Sequence, residues 1–445
     1  MSRGLILAGP HSGSGKTTLT LALLRALARA GQRVVSAKAG PDYIDPAFHA
    51  AASGAPCLNL DSWAMRPQLL ETLVRRLERA SEFILCEGTM GLFDGVGSSE
   101  RGSTAELAQR LGWPVVLVVD AARQGASVAA LLEGFAGHRA DVTVAGVIFN
   151  RVGSARHREI LAEATRAALP NLVVLGAVPR DPALTLPERH LGLVQAGEHA
   201  DLDRFLDGAA DIVDATCNLR GLAALAQRAR LSGANEIAAP LPPLGQRIAI
   251  AADVAFAFAY PAVLEGWRHA GAELNTFSPL ADEAPDAGAD AVYLPGGYPE
   301  LHAGRIAANR RFLGGLRDRA SAGATIYGEC GGYMVLGEGL IDAEGERHAM
   351  AGLLPVTTSF AERSLHLGYR EMRLIQATPL GTAGTAFRGH EFHYAKVAGP
   401  EGAAPLFETS DGMGAPLSAV GAIQGSVLGS FLHLVDRAEL SARIG

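Results

Sequence analysis

Cys330 is the residue in this chain best placed to act as a nucleophile. It stands in Thr325-Ile326-Tyr327-Gly328-Glu329-Cys330-Gly331-Gly332-Tyr333, which has the form strand, Gly-x-Cys-Gly-Gly, helix. A side chain on so tight a strand-to-helix turn projects its reactive atom clear of the backbone, and the turn needs small neighbours. A helix N-terminus behind the sulfur favours thiolate. The N–H of Gly331 can serve an oxyanion. A companion loop, Leu294-Pro295-Gly296-Gly297-Tyr298-Pro299-Glu300, also follows an apolar run and offers further N–H donors, chiefly Gly297 or Tyr298. The thiol needs a base. His433, in Gly429-Ser430-Phe431-Leu432-His433-Leu434-Val435-Asp436, is the choice, with His390 and His393 of Gly389-His390-Glu391-Phe392-His393-Tyr394 as competitors.

A second set of residues suits phosphate. After a short apolar run comes Gly9-Pro10-His11-Ser12-Gly13-Ser14-Gly15-Lys16-Thr17-Thr18, then a helical pattern. Backbone N–H groups of such a loop point inward at phosphate oxygens, and the following helix adds its positive end. Gly9, Ser12, Gly13, Ser14, Gly15, Lys16, Thr17 and Thr18 form the expected nucleotide-binding set. Lys16 would reach the terminal phosphates of ATP and the Thr17 hydroxyl would bind Mg²⁺. The loop is one residue longer than the usual pattern, because Pro10 stands where a glycine would and Gly9 takes its place. Acidic groups follow other strands. Lys38, Asp42 and Asp45 share the Gly/Pro loop Lys38–Pro46, Glu87 ends the Phe83–Cys86 run, and Asp94 lies between Gly91 and Gly95. Glu87 is the expected second Mg²⁺ ligand. Asp120 would act near the metal or cap a turn. Asn150, ending another apolar run, could read a purine edge.

The elements that must position these groups are legible in the hydrophobic pattern. Leu5–Ala8, Arg33–Ala37, Phe83–Cys86, Val115–Val119, Val144–Phe149 and Val173–Leu175 are apolar without alternation, the mark of strands buried on both faces of a parallel sheet. Thr17–Ala30 reads as a helix ended by Gly31. The pattern predicts a doubly wound α/β domain over 1–215. Residues 216–245 read as a helix over Leu219–Leu231 followed by a stiff Pro-rich linker, Ala238–Pro243. Alternation resumes at Arg247–Ala251, with a helix near Pro261–Ala270 and strands at Leu274–Phe277, Ala291–Leu294 and Thr325–Tyr327. This predicts a second α/β domain, again mostly parallel, over 246–445.

Composition bounds the rest. With 48% hydrophobic and 19% charged residues in 445, the chain is not disordered. A net charge of −7 gives no global case for nucleic acid. Cys57, Cys86, Cys217 and Cys330 are too far apart for a metal knuckle and too few for a disulfide framework. No run is long enough to span a bilayer. The expectation is a cytoplasmic protein.

Taken in order, Gly-x5-Gly-Lys-Thr, Lys-x-Gly-Pro-Asp-Tyr-Ile-Asp-Pro, Glu-Gly-x-Met-Gly-Leu-Phe-Asp-Gly, Leu-Pro-Gly-Gly-Tyr-Pro-Glu, Gly-Glu-Cys-Gly-Gly-Tyr, Gly-His-Glu-Phe-His-Tyr and Gly-Ser-Phe-Leu-His-Leu resemble the cobyrinic acid and hydrogenobyrinic acid a,c-diamide synthase family over nearly the whole chain. The resemblance implies a dethiobiotin-synthetase-like domain for 1–215 and a flavodoxin-like class I glutamine amidotransferase domain for 246–445. It implies ATP- and glutamine-dependent amidation of the a- and c-acetate carboxylates of a corrin, through an acyl phosphate, in cobalamin biosynthesis. It also implies that Asp42, Tyr43, Ile44, Glu87 and Asp94 line the synthetase site, with Lys38 and Asp45 of the same loop on the substrate and Asp42 joining Thr17 and Glu87 on the metal. A Cys330–His433 dyad, with Lys16 aiding phosphoryl transfer, completes the catalytic set. Many class I enzymes carry His-x-Glu, but position 435 here is Val and Asp436 is the nearest acid. Domains of the dethiobiotin-synthetase type often pair, so a homodimer is expected, and neither nucleic acid nor membrane is an expected partner. Two rival readings are amidation of nickel-sirohydrochlorin and a partner-binding P-loop ATPase fused to an inactive amidotransferase-like module.

Overall fold

The structure is a computed structural model that describes residues 2–186, 188–189, 192–232, 238–398 and 403–438. Residues 233–237, inside the expected linker, lie outside the described residues, as do 439–445 at the end of the second expected domain. The chain divides into two compact units, Met1–Trp63 with Pro67–Ile237, and Ala64–Arg66 with Ala238–Gly445.

The first unit is built on seven strands: β1 (Arg3–Ala8), β2 (Val34–Ala39), β3 (Leu58–Leu60), β4 (Phe83–Glu87), β5 (Val115–Asp120), β6 (Val144–Val152) and β7 (Val173–Pro179). They lie in the order β3-β2-β4-β1-β5-β6-β7, all parallel. The runs that lack alternation are buried on both faces, as in β2 and β4, where every residue is buried. This order brings Ala8, Ala39, Glu87, Asp120 and Asn150 to one edge. Register is specific there: Leu7 and Lys38 both pair with Glu87, and Asp120 pairs with Asn150. The carboxyl edge of such a sheet, where the order reverses around β1, is where ligands bind. Helix α1 (Lys16–Arg29) follows β1 and α2 (Asp45–Ser53) follows β2. The predicted helix over Leu219–Leu231 is shorter, Leu219–Leu225. The chain turns extended at Ala226, and Gln227 exchanges backbone hydrogen bonds with Gly4 of β1.

The second unit holds a six-stranded sheet in the order Glu273–Phe277, Arg247–Ala251, Ala291–Leu294, Thr325–Glu329, Val427–Ser430, Ala422–Gln424. The first five are parallel and the last is an antiparallel edge. The α/β expectation therefore holds for both sheets. Sequence patterning did not resolve residues 339–437, which add a four-stranded sheet and a five-stranded antiparallel sheet. The latter pairs His366–Leu374 with Ala386–His393, and that strand with Leu432–Arg437. These strands are short or curled around glycine, and several carry polar residues on both faces, so neither period is clean. Leu432–Arg437 directly follows Val427–Ser430, so one stretch of chain leaves the parallel sheet beside Glu329 and enters the antiparallel one at His433. No helix among the described residues is long and apolar enough to cross a membrane.

Candidate active site

In the first unit the phosphate loop is held by β6. Gly15 caps α1 with φ +91°, and a side chain there would meet Asn150 Nδ2 at 2.1 Å. Asn150 Nδ2 donates to the Ser14 carbonyl at 3.0 Å, and its Oδ1 accepts the Arg151 N–H at 2.9 Å. Asn150 thus braces the loop. Arg151, at φ +57°, donates to the Gly13 carbonyl and pairs with Asp120. Asp120 also accepts the Ala122 N–H, so it caps a turn. Lys16 is buried, its Nζ donating to the His11 and Met90 carbonyls at 3.1 and 2.7 Å. Burial lowers its pKa.

Below the loop lies a buried charge cluster. The Thr17 hydroxyl donates to Glu87 Oε1 at 2.6 Å and lies 3.4 Å from Asp45 Oδ2. Lys38 Nζ donates to both carboxylates, at 2.6 Å to Asp45 and 2.7 Å to Glu87. On the far side of Glu87, His49 Nε2 sits 2.7 Å from Oε2, with Cys57 Sγ 3.5 Å from His49 Nδ1. Burial works against every charge here, and pairing decides the outcome. For Glu87 the Lys38 and His49 contacts win and hold it well below the usual carboxylate range. For Lys38 the two carboxylates win and raise it. Burial, followed by the Asp42 charge, pushes Asp45 up to about 7. Burial disfavours the His49 cation, but Cys57 and Glu87 more than offset it, to about 10.

These contacts revise the sequence assignments. Asp42 was expected on the metal, but its Oδ1 accepts the Ile44 and Asp45 N–H groups at 2.8 and 3.1 Å, bracing the turn into α2. Asp45 stands in its place beside Thr17 and Glu87. This donor set, a hydroxyl and two carboxylates, fits Mg²⁺, a hard cation that prefers oxygen. Lys38 was expected on the substrate but is buried between the carboxylates. Tyr43 and Ile44 are buried as well. Asp94 Oδ2 accepts the Gly91 N–H at 2.8 Å, and its charge, after that of Glu87, opposes the lowering of the Lys16 pKa by burial. A cavity of about 950 Å³ opens beside the loop, lined by Gly13, Gly15, Lys16, Thr17, Thr18, Asp42, Asp45 and Asn150 and by Arg151 and Arg180. Sequence reasoning missed His49, Cys57 and Arg180. No motif marks them; only the fold brings them to the site.

In the second unit Cys330 ends its strand at φ +45°, ψ −105°, outside the ordinary regions for a side-chain-bearing residue. The glycines around it are demanded by contact. A side chain on Gly332 would meet the Leu294 carbonyl at 2.0 Å, one on Gly297 the Ala255 carbonyl at 2.0 Å, and one on Gly331 the Gly297 nitrogen at 3.0 Å. The predicted oxyanion donors Gly297 and Gly331 are thus brought against each other. A side chain on Gly296 would overlap both His433 Cε1, at 2.5 Å, and Cys330 Cβ, at 3.3 Å. His433 and Cys330 therefore both lie against Gly296, while His390 stacks behind His433 at 5.2 Å and shares a hydrogen bond with Tyr260. His433 is fully buried, which with the nearby His390 and His393 holds its pKa well below 6.5.

The acid near His433 is Glu329, the unassigned residue of Gly-x-Cys. Its Oε2 lies 3.8 Å from His433 Nδ1 and accepts from Tyr293 at 2.8 Å; its Oε1 accepts from Tyr327 at 2.9 Å and from the Leu434 N–H at 3.1 Å. Burial pushes Glu329 up to about 7. Asp436, the nearest acid in sequence, is instead clasped by Arg66 at 2.8 Å. The expected thiolate also needs correction. Burial pushes the Cys330 thiol well up, and the helix behind it has only six residues, so a base must remove the proton.

Two family models match the chain. The CobQ/CobB/MinD/ParA nucleotide binding domain matches residues 5–194, and the CobB/CobQ-like glutamine amidotransferase domain matches residues 247–439. The hydrogenobyrinate a,c-diamide synthase of Brucella anthropi is 54% identical over 437 residues, 98% of each chain. That of Brucella abortus is 55% identical with the same coverage. That of Rhizobium meliloti is 53% identical over 441 residues, covering 98% of this chain and 100% of its own.

Proposed function

The chain belongs to the hydrogenobyrinate a,c-diamide synthase family, and from that membership we propose that it converts the a- and c-acetate carboxylates of hydrogenobyrinic acid to amides, using glutamine and ATP in cobalamin biosynthesis. The observation that carries this is the presence on one chain of a strained Cys330 that shares Gly296 as a neighbour with His433, and of a glycine loop that presents Lys16 and Thr17. The first suits release of ammonia from glutamine. The second suits activation of a carboxylate.

The chemistry follows from the residues. A carboxylate is a poor acyl donor, so its oxygen attacks the γ-phosphorus of ATP, ADP leaves, and an acyl phosphate forms. Lys16 and the loop N–H groups stabilise the charge spread over the transferring phosphoryl oxygens. Mg²⁺ held by Thr17, Asp45 and Glu87 would supply further neutralisation of the phosphates. Ammonia then displaces phosphate and leaves the amide. At the other site His433, neutral at pH 7, takes the Cys330 proton as sulfur attacks the glutamine carboxamide, and returns it to the departing ammonia. The N–H groups of Gly297 and Gly331 would hold the oxyanion. Water resolves the thioester to glutamate. Glu329 orients His433 and stabilises the imidazolium that forms. The reading puts the reaction in the cytoplasm and takes a homodimer as its assembly.

Hydrogenobyrinic acid, cobyrinic acid and nickel-sirohydrochlorin, each incubated with the protein, ATP, Mg²⁺ and glutamine, separate the substrates by product mass. Two successive amidations, fastest on hydrogenobyrinic acid, are expected. Faster reaction of nickel-sirohydrochlorin would move the assignment to that tetrapyrrole, and ATP hydrolysis without any amide would contradict the synthase reading.

A further inference from the structure

The Gly389-His390-Glu391-Phe392-His393-Tyr394 motif holds two residues that the proposed chemistry does not use. Glu391 and His393 are two apart on one strand, so they share a face. The register sets His366 directly opposite His393. Their ligand atoms all lie within 4.8 Å of one another. The two imidazoles stack at 4.7 Å and 9°, and His393 rests on Phe431 at 3.9 Å. All three line a cavity of about 640 Å³.

His393 sits between two acceptors. Nδ1 lies 3.0 Å from the Ala395 carbonyl, which only accepts, so Nδ1 carries a proton. In the neutral ring Nε2 then offers a lone pair, yet it faces Glu391 Oε1, another acceptor, at 2.9 Å. A second ring proton meets this contact, and a metal ion in that proton's place would join the same two atoms. Arg370 is bonded to the other oxygen, Oε2, at 2.8 Å. An Nδ1–H held by a backbone carbonyl is the contact that commonly orients a metal-binding imidazole.

We propose that His366, Glu391 and His393 bind a divalent transition-metal ion. Two imidazoles and a carboxylate suit Zn²⁺, with water or a solute from the cavity completing its shell. The ion would clamp His366–Leu374 to Ala386–His393, the strand whose His390 packs on His433.

Co²⁺ is the probe. The full chain, stripped of metal and without nucleotide or glutamine, is titrated while the visible ligand-field band is followed. One saturating equivalent is expected, displaced by Zn²⁺. His366→Ala and Glu391→Gln should each weaken binding by about ten- to a hundredfold. His348→Ala, in the separate Asp342–Glu346–His348 group, should leave the band intact. Circular dichroism and melting checks that each variant is folded, and the half-buried His366 gives the mildest change. Absence of a saturable band, or a band unchanged in His366→Ala, overturns the proposal. Neither result depends on the corrin assignment.

Discussion

Glu329 sits at the residue scale where pH and catalysis meet. Burial raises its pKa from 4.5 to about 7, so the folded chain holds its proton more tightly than the unfolded chain. The stability it contributes is full below about 4.5 and is lost as pH rises through about 7. Glu329→Gln mimics the protonated form at every pH. The melting temperature of the wild type relative to this variant is therefore expected to fall between pH 5 and pH 8. Its glutamine hydrolysis should fall by about tenfold or more, because Gln cannot stabilise an imidazolium at His433. An unchanged rate together with a flat difference would remove Glu329 from the site. The sequence made Cys330 and His433 legible because glycine spacing and the need for a base are local signals. It implied a Cys330–His433 dyad and left the third member open, with Asp436 only the nearest acid in sequence. Only the parallel register, which sets Glu329 beside Ser430, brings the Glu329 carboxylate within 3.8 Å of the histidine.

Elements place the phosphate loop, and here two glycines separate strain from contact. Gly13 and Gly15 both have positive φ, +79° and +91°. A side chain on Gly13 would meet nothing within 4 Å, whereas one on Gly15 would strike Asn150. Gly15→Ala is expected to weaken ATP binding by about ten- to a hundredfold, and Gly13→Ala by roughly tenfold or less, since the latter costs only backbone strain of about 1 kcal/mol. Calorimetric titration of the two variants checks this, and equal losses would contradict the role given to Asn150. The strands of this unit were readable because parallel strands buried on both faces leave unbroken apolar runs. Residues 339–437 were not, since half-buried antiparallel strands there mix polar and apolar positions and one, His366–Leu374, has hardly a buried side chain at its start. The metal ligands were hard to choose for a different reason: Asp42 and Asp45 flank one turn, and only the fold decides which of them faces Thr17.

At the scale of the whole molecule the account rests on a division of labour, with one unit activating a carboxylate and the other releasing ammonia. Composition and motif order made that plan visible, and the two α/β sheets and two family matches agree with it. The division has a direct test in Cys330→Ala, which removes the sulfur and leaves the phosphate loop untouched. The variant is given hydrogenobyrinic acid, ATP and Mg²⁺, once with glutamine and once with an ammonium salt, and amide formation is followed by product mass. The account predicts that amidation with glutamine is lost and amidation with ammonia proceeds at a rate comparable to that of the wild type. Retention of glutamine-dependent amidation, or loss with both nitrogen sources in a variant that still folds and binds ATP, would contradict it.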